Sequence, residues 1–303
     1  MASFGEASSG RRVKVSRVAG VILASGMALL MAFVPVGAGA TTPSKNTVDV
    51  IFDSSLTDTM AALAAPFHKA TGLSMLQTSG ASRVDAKAIA GKTATEDVFV
   101  SEGAASEQSL EGQKNGNWVS WYAQFGSTPL LLAYNPKSKF AKDLKTMAWY
   151  KVVTMKGFLL GRATPDTDSS GSLAITALKD AAKSEHLSVL SKLAVSKTDV
   201  YSETDLLTGL QKGQLDAAFF YGVDTTADGL RTVPLGSLHL AAPYMVTILR
   251  GAAHEGAAVN FVKFLLRPST ASITEKGGVI EKLPSLLNGK PTAVPLPLRS
   301  TIS

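Results

Sequence analysis

The sequence contains no cysteine. Disulfides and thiolate catalysis are therefore excluded, and so is a diacylglyceryl anchor, which needs a cysteine at its processing site. Histidine is scarce: the four, at positions 68, 186, 239 and 254, have no partner three to five residues on, so spacing offers no classical zinc site. Neither GxGxxG nor GxxxxGK[ST] occurs, which leaves nucleotide binding without motif support. The G-x-S-x-G elbow is missing too. A secreted hydrolase would have to assemble its Ser–His pair from distant positions. No internal repeat is evident. Trp118, Trp121 and Trp149 read as core or rim packing.

What is present begins with a leader. Arg11, Arg12, Lys14 and Arg17 precede an almost wholly apolar run, 18–36, and Ala38-Gly39-Ala40 then offers an A-x-A cleavage site. Residues 1–40 read as a secretory signal peptide, cleaved near Ala40, which places the protein outside the cytoplasm, periplasmic or extracellular. The run is also long enough to span a membrane, so an uncleaved anchor is the alternative. Arg11-Arg12 alone does not assign the export route. Without residues 1–40 the chain has 26 basic and 23 acidic residues, a net +3. So mild and dispersed a charge does not point to nucleic acid. Roughly 260 residues remain, enough for two modest domains, and none of the later stretches is apolar enough to cross a membrane.

The chain then alternates strand and helix patterns. TVDVIF at 47–52 reads as a strand, and Leu56, Met60, Leu63 and Phe67 form a helical stripe. Residues 73–78 predict a second strand, 82–91 a helix and DVFV at 97–100 a third strand. This βαβαβ order predicts a mostly parallel sheet with right-handed crossovers. The two strand-to-helix turns, at Ser54-Ser55 and at Ser79–Ser82, are small and hydroxylic. Each puts a serine hydroxyl and free N–H groups at a helix start, a combination that suits an oxyanion, although serine is an ordinary cap as well.

Further on, 129–134 (PLLLAY) predicts a strand, 147–155 a short helix, 158–161 a strand, 163–171 a polar turn and 172–183 a helix. The stretch 199–221 reads as strand end, helix, turn and buried strand. It puts Glu203 at a helix opening capped by Ser202 and Tyr221 at the carboxyl end of a strand, the edge where open α/β sheets collect ligands. A purely local role, Glu203 favouring the helix dipole, also fits. Residues 244–249 predict a strand, 252–266 and 270–276 helices, and the segment from Pro284 onward a proline-rich tail lying over the surface. The economical arrangement is a first domain of residues 46–126 and 234–303 with a second, 127–233, inserted; a single larger doubly wound domain is the alternative.

Together these segments resemble the molybdate- and tungstate-binding proteins of ABC importers, in particular the tungstate-binding branch. Asp53-Ser54-Ser55-Leu56 stands where that family has a Gly-Ser-Leu turn, and Ser79-Gly80-Ala81-Ser82 matches its second serine turn. The likeness continues through Trp121-Tyr122, 129–140, Trp149-Tyr150, 165–171, 203–207 and 213–221. It departs at Ser54 for the usual glycine, Thr167 for an acidic residue, Ser169 for a common proline, and Gly222-Val223 for a basic residue and serine.

The resemblance implies a type II periplasmic-binding-protein fold whose two α/β domains close on molybdate or tungstate. That oxyanion is a transported ligand rather than a cofactor, and a membrane permease is the partner. A monomer with no enzymatic activity is expected. Ser54, Ser55 and Ser82 would contact oxo groups, Asp168 and Glu203 would join the metal's coordination shell, and Tyr221, eighteen residues past Glu203, would complete the site. A dianion beside two ionised carboxylates is repulsive, so simple hydrogen-bonded capture of sulfate would not select them. Direct ligation of a high-valent metal by carboxylate oxygen reverses the sign. Another small anion, such as sulfate, or another polar solute in the same fold is the alternative ligand.

Overall fold

The structure is a computed structural model that describes residues 46–166 and 168–302. The leader and its cleavage site fall outside them, as does Thr167. Among the described residues no helix is long and apolar enough to cross a membrane.

In chain order the elements are β1 (Thr47–Asp53), α1 (Thr57–Thr71), β2 (Ser74–Gly80), α2 (Ser82–Ala90), β3 (Val98–Glu102), α3 (Ala104–Gln108) and β4 (Trp121–Tyr134). Next come α4 (Ala141–Thr146), α5 (Trp149–Val152), β5 (Leu160–Ala163), α6 (Ser169–Ser184), α7 (Ser188–Val195), β6 (Val200–Tyr201), α8 (Glu203–Gln211) and β7 (Ala217–Tyr221). The chain ends with α9 (Gly222–Ala227), β8 (Arg231–Val233), β9 (Ala241–Ile248), α10 (Glu255–Leu265), α11 (Ala271–Lys276) and β10 (Ile280–Gly289).

The strands form one sheet in the order β2-β1-β3-β9-β4-β7-β5-β6, with β8 and β10 also on β4. β1 pairs parallel with β2 and β3, as the βαβαβ reading requires, and β5 pairs parallel with β6 and β7. The expectation of a mostly parallel sheet is corrected for the rest: β9 runs antiparallel to β3, and β4 antiparallel to β7, β8, β9 and β10. Crossover helices demand parallel neighbours, but a strand returning from a distant part of the sequence is under no such demand.

The strand expected at 129–134 is the last part of a longer one. β4 begins at Trp121 and runs for 14 residues, its first part against β9 and β10 and its last part against β7 and β8. Pro129 sits within it, opposite Ala241.

Side chains explain why these elements hold together. Leu56, Met60, Leu63 and Phe67 are all fully buried, as the helical stripe requires. Phe67 meets Phe261 and Phe264 of α10 edge-on, at 5.6 and 5.5 Å between ring centres, geometry that aromatic rings favour. Trp121 and Trp149 lie in the same core, and Trp149 donates its Nε1–H to the Leu235 carbonyl at 3.2 Å.

The surface-tail expectation is corrected in part: most residues from Pro284 onward are exposed, but Ser285, Val294, Leu298 and Ile302 are buried. β10 pairs along β4, with a shift of register between Glu281 and Leu286 that accommodates Pro284. Beyond it Val294, Leu298 and Ile302 are buried in the main core. Proline and loop-like composition masked single anchor residues that have no periodic neighbours to announce them. Leu298→Ala should destabilise the protein by about 2–5 kcal/mol, the range for a buried leucine. Urea denaturation measures this, and a change below about 0.5 kcal/mol, the scale of surface substitutions, would return the tail to the surface.

Candidate functional site

Strand ends and helix starts meet around a cavity of about 1380 Å³. Ser54, Ser55, Ser82, Asp168, Glu203 and Tyr221 all line it. The sequence separates them by as much as 167 positions, and the fold brings them together because each stands at the carboxyl end of a strand or the first turn that follows.

The two serine turns converge on one carboxylate. Asp53, the last residue of β1, is 7 % exposed and accepts at Oδ1 from the Ser55 amide (3.1 Å) and Ser55 Oγ (2.8 Å). Its Oδ2 accepts from the Ser82 amide (3.1 Å) and Ser82 Oγ (2.5 Å). Four donors from two turns are thus saturated by a single side chain. Ser54 stays outside this cluster: it is exposed, and its carbonyl accepts from Thr57 Oγ1 at 2.7 Å.

A hydrogen-bonded chain extends from this point. A serine hydroxyl has one proton, and those of Ser55 and Ser82 are given to Asp53. Tyr244 OH therefore donates to Ser55 Oγ at 2.8 Å, and the Glu102 amide donates to Ser82 Oγ at 2.9 Å. The Glu102 carboxylate in turn accepts from Ser169 Oγ, which accepts from Tyr221 OH at 2.8 Å. Ser169 stands at one of the positions that depart from the family pattern, and its hydroxyl makes the link that a proline could not.

Asp168 is the N-cap of α6 and accepts from the Ser170 amide at 2.8 Å. Three residues after Asp168 the backbone comes so close to β5 that a Cβ at Gly171 would lie 2.3 Å from the Ala163 carbonyl oxygen. Only glycine lets the helix start this deep, which sets where Asp168 faces the cavity. Ser202 caps α8 by accepting from the Asp205 amide at 3.2 Å, leaving the Glu203 side chain free of that duty.

Sequence reasoning missed Asp53, Glu102, Ser169, Tyr244 and Asp224 as members of the site. The signal for the first two was available: both end a strand at the ligand-collecting edge, but the third strand was expected to stop at Val100 rather than Glu102. Tyr244 comes from β9, nearly two hundred residues along the chain from Ser55, and spacing does not reveal it.

The cavity is acidic. Among the described residues eight carboxylates line it against two cations, Arg83 and Lys276. Burial, more than the neighbouring acids Asp53 and Asp168, pushes Glu102 up to about 7. Asp224 is pushed up to about 8, first by burial and then by Glu203. Glu203 is exposed by surface area, yet the surrounding walls exclude enough water to raise its pKa, with Asp168 adding to the effect. Burial likewise raises the phenols of Tyr221 and Tyr244, so both remain protonated donors.

A second acidic group lies elsewhere: ligand atoms of Asp49, Asp97 and His254 lie within 4.8 Å of one another. Asp97 there accepts from the Asp49 amide (2.9 Å), the His254 amide (2.8 Å) and His254 Nδ1 (2.9 Å). These bonds fasten the start of α10 to β1 and β3.

Strand ends and capped helix starts thus surround the cavity on the fold of the periplasmic binding proteins. The family model for bacterial extracellular solute-binding proteins matches residues 48–279, and the chain belongs to that family. A putative molybdenum-binding protein of an ABC transporter from Haloferax volcanii is 34% identical over 104 residues, 34% of this chain and 34% of that protein. A molybdate/tungstate-binding protein from Pyrococcus abyssi is 21% identical over 202 residues, 50% of this chain and 59% of that protein. Each match thus spans less than two thirds of the relative's own length. Among solved structures, the periplasmic molybdate-binding protein of Azotobacter vinelandii superposes with a TM-score of 0.58 at 19% identity, covering 77% of this chain and 98% of that one. That likeness concerns the fold.

The raised carboxyl groups make stability depend on pH. Between the ordinary carboxylate range near 4 and the values of about 7 for Glu102 and about 8 for Asp224, the folded chain holds protons that the unfolded chain has released. Ionising these groups opposes folding. The ligand-free protein should therefore lose several kcal/mol of stability as pH rises from about 4.5 to about 8. Melting scans across that window check this. Glu102→Gln should flatten the slope, and a melting temperature that climbs with pH would contradict the assignment.

Proposed function

We propose that this protein is an exported solute-binding protein that captures molybdate or tungstate and hands it to the membrane permease of an ABC importer. One observation carries the reading: the hydroxyl and amide donors of Ser55 and Ser82 converge on a single point of negative charge. Convergent N–H and O–H donors at helix starts form a seat for an oxyanion. The relatives named for molybdenum, molybdate and tungstate support the choice of ligand.

In this reading Ser55 and Ser82, with Ser54 at the rim, hold oxo groups. Asp168 and Glu203 bond the metal, and Tyr221 completes the site. Residues 46–126 and 234–303 form one domain and 127–233 the other. β4 crosses between them, and the change in its pairing partners along its length supports that division. The leader directs export, and the mature protein acts as a monomer without a resident cofactor or catalytic activity. Ligand then bridges the domains, so binding stabilises a closed state.

Calorimetry of the purified protein with tungstate, molybdate, sulfate and phosphate tests the reading. Saturable binding of a metal oxyanion is expected, and its absence for both tungstate and molybdate would refute it. Scattering should give a smaller radius of gyration at saturation.

Glu203→Gln separates the possible roles of that residue. A ligating carboxylate predicts at least a tenfold loss of tungstate affinity, about 1.4 kcal/mol. A helix-start acid predicts a few tenths of a kcal/mol of stability and unchanged binding. A carboxylate facing an intact dianion predicts a gain. We expect the loss, with Ser202→Ala as the control that weakens only the cap. Affinity equal to or above wild type would remove Glu203 from the metal's shell.

A further inference from the structure

We propose that Asp53 occupies the oxyanion seat itself, so that an anion enters only by displacing this carboxylate and every oxyanion binds more weakly for it. The inference rests on the oxyanion reading above.

The geometry is that of an internal mimic. The two carboxylate oxygens of Asp53 take the Ser55 and Ser82 donors, one turn to each oxygen, at 2.5 to 3.1 Å. Each serine hydroxyl has a single proton, which cannot serve Asp53 and a bound anion together. Asp53 is buried, so its carboxylate cannot trade these bonds for water without leaving the seat. Other acidic groups stand close by: Asp85 of α2, Glu102 of β3 and Glu203 of α8 all feel the Asp53 charge.

The consequence for an incoming anion is an exchange rather than a gain. Sulfate would recover the hydrogen bonds that Asp53 gives up and would then meet the displaced carboxylate and its acidic neighbours. Nothing in that exchange favours binding. An oxyanion whose central metal also accepts carboxylate oxygens gains bonds that the seat does not supply. Asp53 thus lowers the affinity for every oxyanion by a common factor, and ligands that only accept hydrogen bonds fall below useful affinity.

Asp53→Ala and Asp53→Asn test this by calorimetry with tungstate and sulfate, with melting temperature as the folding control. Asp53→Ala should raise tungstate affinity at least tenfold and bring sulfate into the measurable range by a similar factor. Asp53→Asn, which keeps one acceptor oxygen in the seat, should fall between Asp53→Ala and wild type. Folded variants with affinity equal to or below wild type would overturn the proposal, because the carboxylate would then support binding rather than compete with it. A crystal structure of the wild-type protein with tungstate provides an arm that needs no variant. The Asp53 carboxylate should have left Ser55 and Ser82 with oxo groups in its place; tungstate bound while those contacts persist would overturn the proposal. If neither the wild type nor either variant binds tungstate or molybdate, the oxyanion reading itself fails. If the wild type binds and the variants do not improve, only the role of Asp53 falls.

Discussion

An amide N–H that is withdrawn from water must find an acceptor, and at the mouths of β1 and β2 the acceptor is the Asp53 carboxylate. The Ser55 and Ser82 amides stand at the beginnings of short helical turns, where no preceding carbonyl can reach them. One buried carboxylate satisfies both and ties the first two strand–helix units to each other. A negative group at a helix start is also favoured by the helix dipole. The bonds from Tyr244 to Ser55 and from the Glu102 amide to Ser82 follow from this tie.

The network is directional because protons are limited. With the serine protons committed to Asp53, Tyr244 and the Glu102 amide must donate to the serine oxygens. Glu102 then has its carboxylate free to receive Ser169, and Ser169 can only receive from Tyr221. The network runs from β9 at one end, through β1, α2, β3 and α6, to β7 at the other. Such a chain is rigid while every member is satisfied and loses several bonds when one acceptor is removed. A ligand entering at Asp53 therefore affects groups it does not touch.

Periodicity made the βαβαβ start legible, because Leu56, Met60, Leu63 and Phe67 repeat on one face and strands in a crossover unit are constrained to run parallel. The serine turns and the capped helix at Glu203 were legible for a related reason: local cap chemistry leaves a local signature. The antiparallel strands β9 and β10 were harder, since their partners lie far away and nothing local sets their direction. Val294, Leu298 and Ile302 anchor the end of the chain singly among prolines, so no pattern marks them as core. Asp53 was read only as a turn residue because its role depends on Ser82, twenty-nine positions away. Ser169 stood out as a departure from a family pattern, and only the position of Glu102 gives that departure a physical use.

The acidic lining and the oxyanion reading are compatible because carboxyl groups in this cavity are not all charged. Burial holds Asp224 at about 8 and Glu102 at about 7, so near neutral pH the first is mostly protonated and the second about half so. The field that an anion meets is weaker than a count of eight carboxylates suggests, and a protonated carboxyl is itself a donor. Bringing a dianion into the cavity favours protonation further, since each added negative charge raises the pKa of the acids beside it. Burial keeps the phenols of Tyr221 and Tyr244 protonated within the network, and an anion that displaces the Asp53 carboxylate inherits the Ser55 and Ser82 donors. The cavity can therefore receive negative charge through neutral donors and proton-holding acids, with fixed cations contributing little.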